Sequence, residues 1–195
     1  MQEKLLARGL YLEYTTLGWN VIGTIIVAAA AFAAHSVALA GFGIDSLIEI
    51  FASVVVVWQL KGIGQHRERR ALRLISIAFF ALVVYILFQS GRTLLAQTHP
   101  ATSLLGIAWL TATLSAMYLL AWGKHRTGTQ LNNSVLLTEG HVTLVDAYLA
   151  AAVLIGLILN SLFGWWWADP IAGLVIVYYG FREGWHAWHE ASQAT

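Results

Sequence analysis

Residues 41–50 read GFGIDSLIEI, and they place two acids, Asp45 and Glu49, inside an apolar run that reaches from Ser36 to Trp58. A run of this length predicts a membrane-spanning helix, because a span needs about 20 apolar residues. The two acids are four residues apart, so they share one face of that helix. A charged side chain at the centre of a span costs about 2.5–3.5 kcal/mol, which makes both acids candidates for function.

The composition of the whole chain also indicates a membrane protein. Of the 195 residues, 58% are hydrophobic and 11% are charged, and the mean hydropathy is +0.68. Soluble domains have about 25% charged residues. The chain has no cysteine, which excludes disulfides and thiolate metal ligands. The net charge of +1 gives no sign of nucleic-acid binding, and no nucleophile–base arrangement indicates an enzyme.

Six apolar stretches predict six transmembrane helices in a single domain that covers residues 1–195. The stretches are residues 12–34, 37–60, 74–96, 103–122, 142–162 and 171–181. The connectors between them, such as GKHRTGTQLNN at 123–133, are too short to form another domain. Asp169 is predicted to be the N-cap of the sixth helix, with Pro170 at its first position.

Basic residues predict the orientation, because cytoplasmic loops are rich in Lys and Arg. Such residues precede the first span, separate the second from the third, follow the fourth and end the sixth, for example Lys4, Lys61, Lys124 and Arg182. This pattern predicts that both termini lie in the cytoplasm. We expect the membrane to be the cytoplasmic (inner) membrane.

A third acid, Asp146, is predicted at the same depth as Asp45. Helix 2 runs inwards from about residue 37 and helix 5 runs outwards from about residue 138. At ~1.5 Å per residue, each aspartate therefore lies roughly 12 Å along its helix. Three carboxylates from two helices would then converge near the midplane of the membrane.

Carboxylates that converge in a low dielectric repel one another, so they must hold protons or a cation. Oxygen ligands suit Mg or Mn, whereas one or two imidazoles would shift the preference towards Zn, Co or Fe. The alternative is a structural role, in which the acids cap helix turns or pair with a neighbouring arginine or serine.

Three segments resemble those of the cation diffusion facilitator (cation efflux) family. SVALAGFGIDSLIEIFAS (36–53) resembles its second helix, EGHVTLVDAYLAAAVLIG (139–156) its fifth and WWWADPIAGLVIVYYGFREGWHAWHEA (165–191) its sixth. The resemblance implies a bundle of six helices, commonly a homodimer, that moves divalent transition metals out of the cytoplasm in exchange for protons.

By the same resemblance, the first pair of metal ligands falls on Asp45 and Glu49, and the aspartate of the second pair falls on Asp146. The partner of that aspartate falls on Val142, so a site of four ligands is reduced to three carboxylates. The residues that could complete it are His141, Thr143 and Glu139, and water is a further alternative. Glu139 matches an acidic position at the mouth of the family's site, and we expect it to act there.

Two other features are left open by the sequence. Asn20 in helix 1 either hydrogen-bonds near the site or joins helices. His186 and His189 either load metal or anchor the helix at the interface. Members of the family typically continue into a soluble metal-binding domain, whereas this sequence ends at Thr195. We therefore expect no C-terminal cytoplasmic domain, and a homodimer held by membrane helices.

The sequence thus predicts a proton-coupled antiporter that works by alternating access in the lipid bilayer. The transported substrate is a divalent metal (Zn, Mn, Fe or Co), and no cofactor is tightly bound. One alternative is a membrane protein that binds metal without transporting it. The other is a proton-coupled exporter of a small organic cation, which would need a wider cavity.

Overall fold

Six α-helices make up the part of the chain that the computed structural model describes, which is residues 2–60 and 65–193. In chain order they are α1 (Gln2–Ala34), α2 (Val37–Leu60), α3 (Gln65–Ala96), α4 (Leu104–Leu131), α5 (Ser134–Phe163) and α6 (Ala168–Gln193). No strand forms within those residues. The predicted all-α fold with six helices is confirmed.

Four segments of the described chain are long and apolar enough to cross a membrane. They are Glu3–Ala34, Arg73–Ala96, Leu104–Leu131 and Glu139–Phe163, whose most apolar windows have mean hydropathies between 1.8 and 2.3. The helices α2 and α6 pack among these four. The protein is therefore an integral, multi-pass membrane protein. The orientation of its termini stays a prediction, and Lys61, one of the residues used for it, lies outside the described residues.

Several helices extend beyond the apolar stretches, and the connector predicted at 123–133 is wrong. α4 continues through these polar residues to Leu131, and Asn132 ends it in a left-handed conformation with φ 51° and ψ 40°. Asn adopts this conformation at little cost, which makes it a favourable helix stop. Asn133 then caps α5, because its side chain accepts a hydrogen bond from the Leu136 amide at 3.0 Å. The extension places Lys124 inside the bundle.

The centre of the bundle is formed by α2, which contacts α1, α3, α5 and α6. Its residues Leu39 and Phe42 are almost fully buried, as is Val153 of α5. A side chain at Gly41 would collide with Ile86 of α3 and would come within 3.1 Å of Ile176 of α6. The helices therefore approach closely at this level, and the following turns of α2, which carry the acids, lie in the interior.

Asp169 caps α2 and not its own helix, which corrects the prediction from the sequence. It lies in the first turn of α6, which begins at Ala168. Its buried carboxylate accepts hydrogen bonds from the Ser36 hydroxyl, from the Val37 amide at 2.9 Å and from the Ala38 amide at 3.4 Å. These amides have no acceptor within α2, because they lie at its first positions. Asp169 therefore joins the start of α6 to the start of α2.

Candidate functional site: a carboxylate cluster between α2 and α5

The three acids predicted to converge lie together in the interior of the bundle. One carboxylate oxygen each from Asp45, Glu49 and Asp146 lies within 4.8 Å of the other two. The three residues are only 3%, 7% and 1% exposed. Carboxylate ligands of a divalent transition metal lie ~2.0–2.2 Å from the ion, so ligands of one ion are at most about 4.4 Å apart. A small closure of the side chains would bring all three into contact with a single cation.

Asp146 is the acid of this cluster whose carboxylate most clearly lacks a partner. Both of its carboxylate oxygens are buried and accept no hydrogen bond from the described residues. Removing a carboxylate from water without a partner is costly, and buried charges are normally paired or bound to a metal. A proton or a cation between α2 and α5 would satisfy this requirement.

Asn20 reaches the cluster from α1. Its amide Nδ2 donates a hydrogen bond to Glu49 Oε2 at 2.9 Å, and Asn20 is 2% exposed. The bond holds one oxygen of Glu49 in place and leaves the other for a ligand. Such outer partners orient the residues that bind a metal.

Val142, the residue at the position of the family's fourth ligand by resemblance, borders the cluster. It lines a small enclosed cavity together with Asp45 and Glu49. The cavity has a volume of about 10 Å³, which is close to the space that a single water needs. The apolar side chain of Val142 thus borders a cavity with room for one water-sized molecule or ion. The same cavity is lined by Glu183 of α6, a residue that the sequence interpretation did not consider.

Glu139 lies next to the cluster, but its side chain contacts Lys124 and Ser53. Its Oε1 is 3.4 Å from Lys124 Nζ and 3.4 Å from the Ser53 hydroxyl. Lys124 is fully buried, and its amine also contacts Glu13 Oε2 and Thr143 Oγ1, each at 3.1 Å. Glu139 and Thr143 therefore bind a protein amine in this structure. The buried lysine was missed because its polar sequence context was interpreted as a connector.

No histidine among the described residues joins the carboxylate cluster. His141 is exposed, and its Nε2 lies 3.4 Å from Arg182 Nη2. His186 and His189 lie on exposed positions of α6, and His189 Nδ1 is 3.0 Å from the Trp185 carbonyl oxygen. Within the described residues, the ligand atoms that come together are all carboxylate oxygens.

The fold and the cluster define a class of membrane protein. Ionisable residues that face the interior of a membrane bundle mark ion pathways or binding sites. Residues 15–194 match the family described as the cation efflux transmembrane domain. The chain belongs to the cation efflux family, and the resemblance drawn from residues 36–53, 139–156 and 165–191 is confirmed.

One curated protein similar to this chain is the uncharacterized transporter sll1263 of Synechocystis sp., which is 24% identical over 165 residues. The aligned region is 79% of this chain and 52% of that protein. The chain therefore spans about half the length of the curated relative that it matches.

Proposed function

We propose that the protein exports a divalent transition-metal cation across the membrane and that the ion is held between α2 and α5. The observation that supports this most directly is the cluster of Asp45, Glu49 and Asp146, in which both oxygens of Asp146 are buried without a hydrogen-bond partner. Membership of a cation efflux family agrees with transport, and the relative from Synechocystis carries the name of a transporter. The function is transport and not catalysis of a covalent reaction.

The cluster couples metal binding to protonation by simple electrostatics. Three carboxylates so close together repel one another, and a dication or protons relieve this repulsion. Metal ligands must be deprotonated, so an ion that binds releases protons and protons that bind release the ion. If the site opens alternately to the two sides of the membrane, a proton gradient drives the metal outwards.

The size of the cavity favours a metal ion over a small organic cation. A space of about 10 Å³ beside Asp45 and Glu49 holds one water-sized particle. The residues that line it include Phe79, Val145 and Leu149, which close it with apolar side chains. Zn²⁺, Mn²⁺, Fe²⁺ and Co²⁺ are the cations that we propose as substrates. We further propose that the protein works as a homodimer in the inner membrane.

Flux into proteoliposomes tests the transport of metal. Purified protein is reconstituted with a metal-sensitive dye inside the vesicles, and Zn²⁺, Mn²⁺, Fe²⁺ and Co²⁺ are added under an imposed pH gradient. We expect flux of at least one metal that depends on the gradient, and its loss in Asp146→Asn. Glu3→Gln is the matched control, because Glu3 is an exposed acid at the start of α1. If none of the four metals moves, or if Asp146→Asn transports like the wild type, the proposed function is wrong.

A binding measurement separates transport from the alternative of a protein that only binds metal. Titration calorimetry in nanodiscs measures affinity without flux. If the protein transports metal, the wild type shows both binding and flux, and Asp146→Asn loses both. Binding that is lost in Asp146→Asn, with no flux even in the wild type, would support the alternative.

A further inference from the structure

Among the described residues of α6, Glu183 is the carboxylate that lines the space beside the cluster. The small cavity is lined by Asp45 and Glu49 of α2, by Val142 of α5 and by Glu183 of α6. Val142 occupies the position at which the resemblance to the family places a fourth ligand, and Glu183 reaches the same cavity from the neighbouring helix.

One oxygen of the Glu183 carboxylate is buried beside the cavity. This oxygen, Oε1, accepts no hydrogen bond from the described residues, and the side chain is 12% exposed. The guanidinium Nε of Arg182 lies 3.3 Å from this oxygen as an ion pair, but Arg182 is 46% exposed. An ion pair with so exposed a partner is weak, because water and salt screen it. A cation inside the cavity can therefore displace Arg182 from Oε1.

The direction of Glu183 follows from the way α6 packs against α3. A Cβ atom at Gly184 would lie 3.0 Å from Phe79 Cβ, so glycine allows the two backbones to approach closely at this point. The Ser76 hydroxyl donates a hydrogen bond to the Gly184 carbonyl at 2.6 Å. These contacts fix the rotation of α6 next to Glu183 and aim its side chain at the cavity, of which Phe79 is also a wall.

We propose that Glu183 moves inwards when a cation binds and becomes its fourth protein ligand, at the coordination position that Val142 leaves empty. In this structure its oxygens lie outside the group of Asp45, Glu49 and Asp146, whose ligand atoms are within 4.8 Å of one another. The site then spans α2, α5 and α6, and all four of its protein ligands are carboxylates. This inference rests on the proposed function, since it adds a ligand to the same site. Four oxygen ligands without an imidazole favour harder cations, so we expect the affinity for Mn²⁺ to be high relative to that for Zn²⁺.

The test compares Mn²⁺ and Zn²⁺ affinities of the wild type and of variants in nanodiscs. Glu183→Gln removes the charge with little change in shape, and we expect Mn²⁺ affinity to fall about tenfold to a hundredfold, as for a lost charged partner. Arg182→Gln is the matched control, because it removes the ion pair of Glu183 and leaves the carboxylate. We expect it to bind Mn²⁺ like the wild type. Equal losses in the two variants would overturn the proposal.

A rescue experiment distinguishes a ligand from a residue that only supports the fold. Val142→Asp adds a carboxylate to the same cavity from α5. In the Glu183→Gln background we expect Val142→Asp to restore most of the lost Mn²⁺ affinity, since either helix then supplies the fourth oxygen. A structural defect in α6 would not be repaired from α5, so a double variant no better than Glu183→Gln overturns the proposal.

The proposed function and this inference fail in different ways. If Asp146→Asn loses binding while Glu183→Gln binds Mn²⁺ like the wild type, Glu183 is not a ligand and the three-carboxylate site stands. If Asp146→Asn also binds like the wild type, the site itself is wrong. An anomalous difference map of wild-type protein soaked in Mn²⁺ serves where a variant does not fold. We expect a peak within about 2.4 Å of a Glu183 oxygen, and a Mn²⁺ peak at Asp146 without contact to Glu183 overturns the inference.

Discussion

Replacing Lys124 with methionine is expected to lower the free energy of unfolding by about 4 kcal/mol. Lys124 and Glu13 are fully buried, and the Glu139 side chain is 8% exposed. The Lys124 amine lies 3.1 Å from Glu13 Oε2 and 3.4 Å from Glu139 Oε1. Removing one partner of a buried ion pair costs about 3–5 kcal/mol, because the other charge stays buried without compensation. Here two carboxylates lose their cation, so we place the cost in the middle to upper part of that range.

Unfolding in mixed micelles measures this cost. The nine tryptophans of the chain report on unfolding as the fraction of denaturing detergent rises. A loss of about 4 kcal/mol corresponds to roughly a thousandfold change in the unfolding equilibrium. Lys4→Met is the matched control, since Lys4 is exposed on α1, and surface substitutions of this kind change stability by about 0.5 kcal/mol or less.

A compensating variant shows whether charge is the cause. Glu13→Gln and Glu139→Gln together remove both carboxylate charges, and in the Lys124→Met background we expect them to restore much of the lost stability. Replacing a complete buried ion network by neutral groups is often neutral or stabilising. The reasoning is refuted if Lys124→Met and Lys4→Met have the same stability, or if the triple variant is no more stable than Lys124→Met.

Three further changes test individual contacts. Val142→His adds an imidazole beside Asp45 and Glu49. We expect the ratio of Zn²⁺ affinity to Mn²⁺ affinity to rise about tenfold or more in calorimetric titrations. An unchanged ratio would show that residue 142 does not face the ion. Asn20→Leu removes the hydrogen-bond donor that lies 2.9 Å from Glu49 Oε2. We expect the metal affinity to fall about 10- to 100-fold. If the variant binds metal as tightly as the wild type, Asn20 contributes to helix packing alone. Asp169→Ala removes the cap of α2, for which the expected loss is about 1–2 kcal/mol in the unfolding assay, and wild-type stability would contradict the capping role.

The six helices, the depths of Asp45 and Asp146 and the shared face of Asp45 and Glu49 could be predicted from the sequence because they depend on local rules. Apolar runs of the length of a span predict helices. The positions of Asp45 and Asp146 along their helices give their depths from the rise per residue alone. The four-residue spacing puts Glu49 on the face of Asp45. None of these inferences requires knowledge of how the helices are rotated about their axes.

Contacts that depend on packing between distant helices could not be predicted in this way. Lys124 follows an apolar stretch in a polar run, and only its contacts with Glu13 and Glu139 explain why it is buried. Asp169 has the local pattern of an N-cap, yet the amides that it accepts from belong to α2. The orientation of Glu183 depends on the rotation of α6 against α3, which Gly184 permits.

The difference between a fixed and an exchangeable cation explains why two groups of buried acids lie side by side. Glu13 and Glu139 hold the amine of Lys124, which is covalently attached and cannot leave. Asp45, Glu49 and Asp146 have no ion pair within the described residues. A second amine among them would fill the site permanently. The lysine therefore neutralises the neighbouring acids and lowers the total negative charge, while the cluster itself keeps room for a cation that can bind and leave.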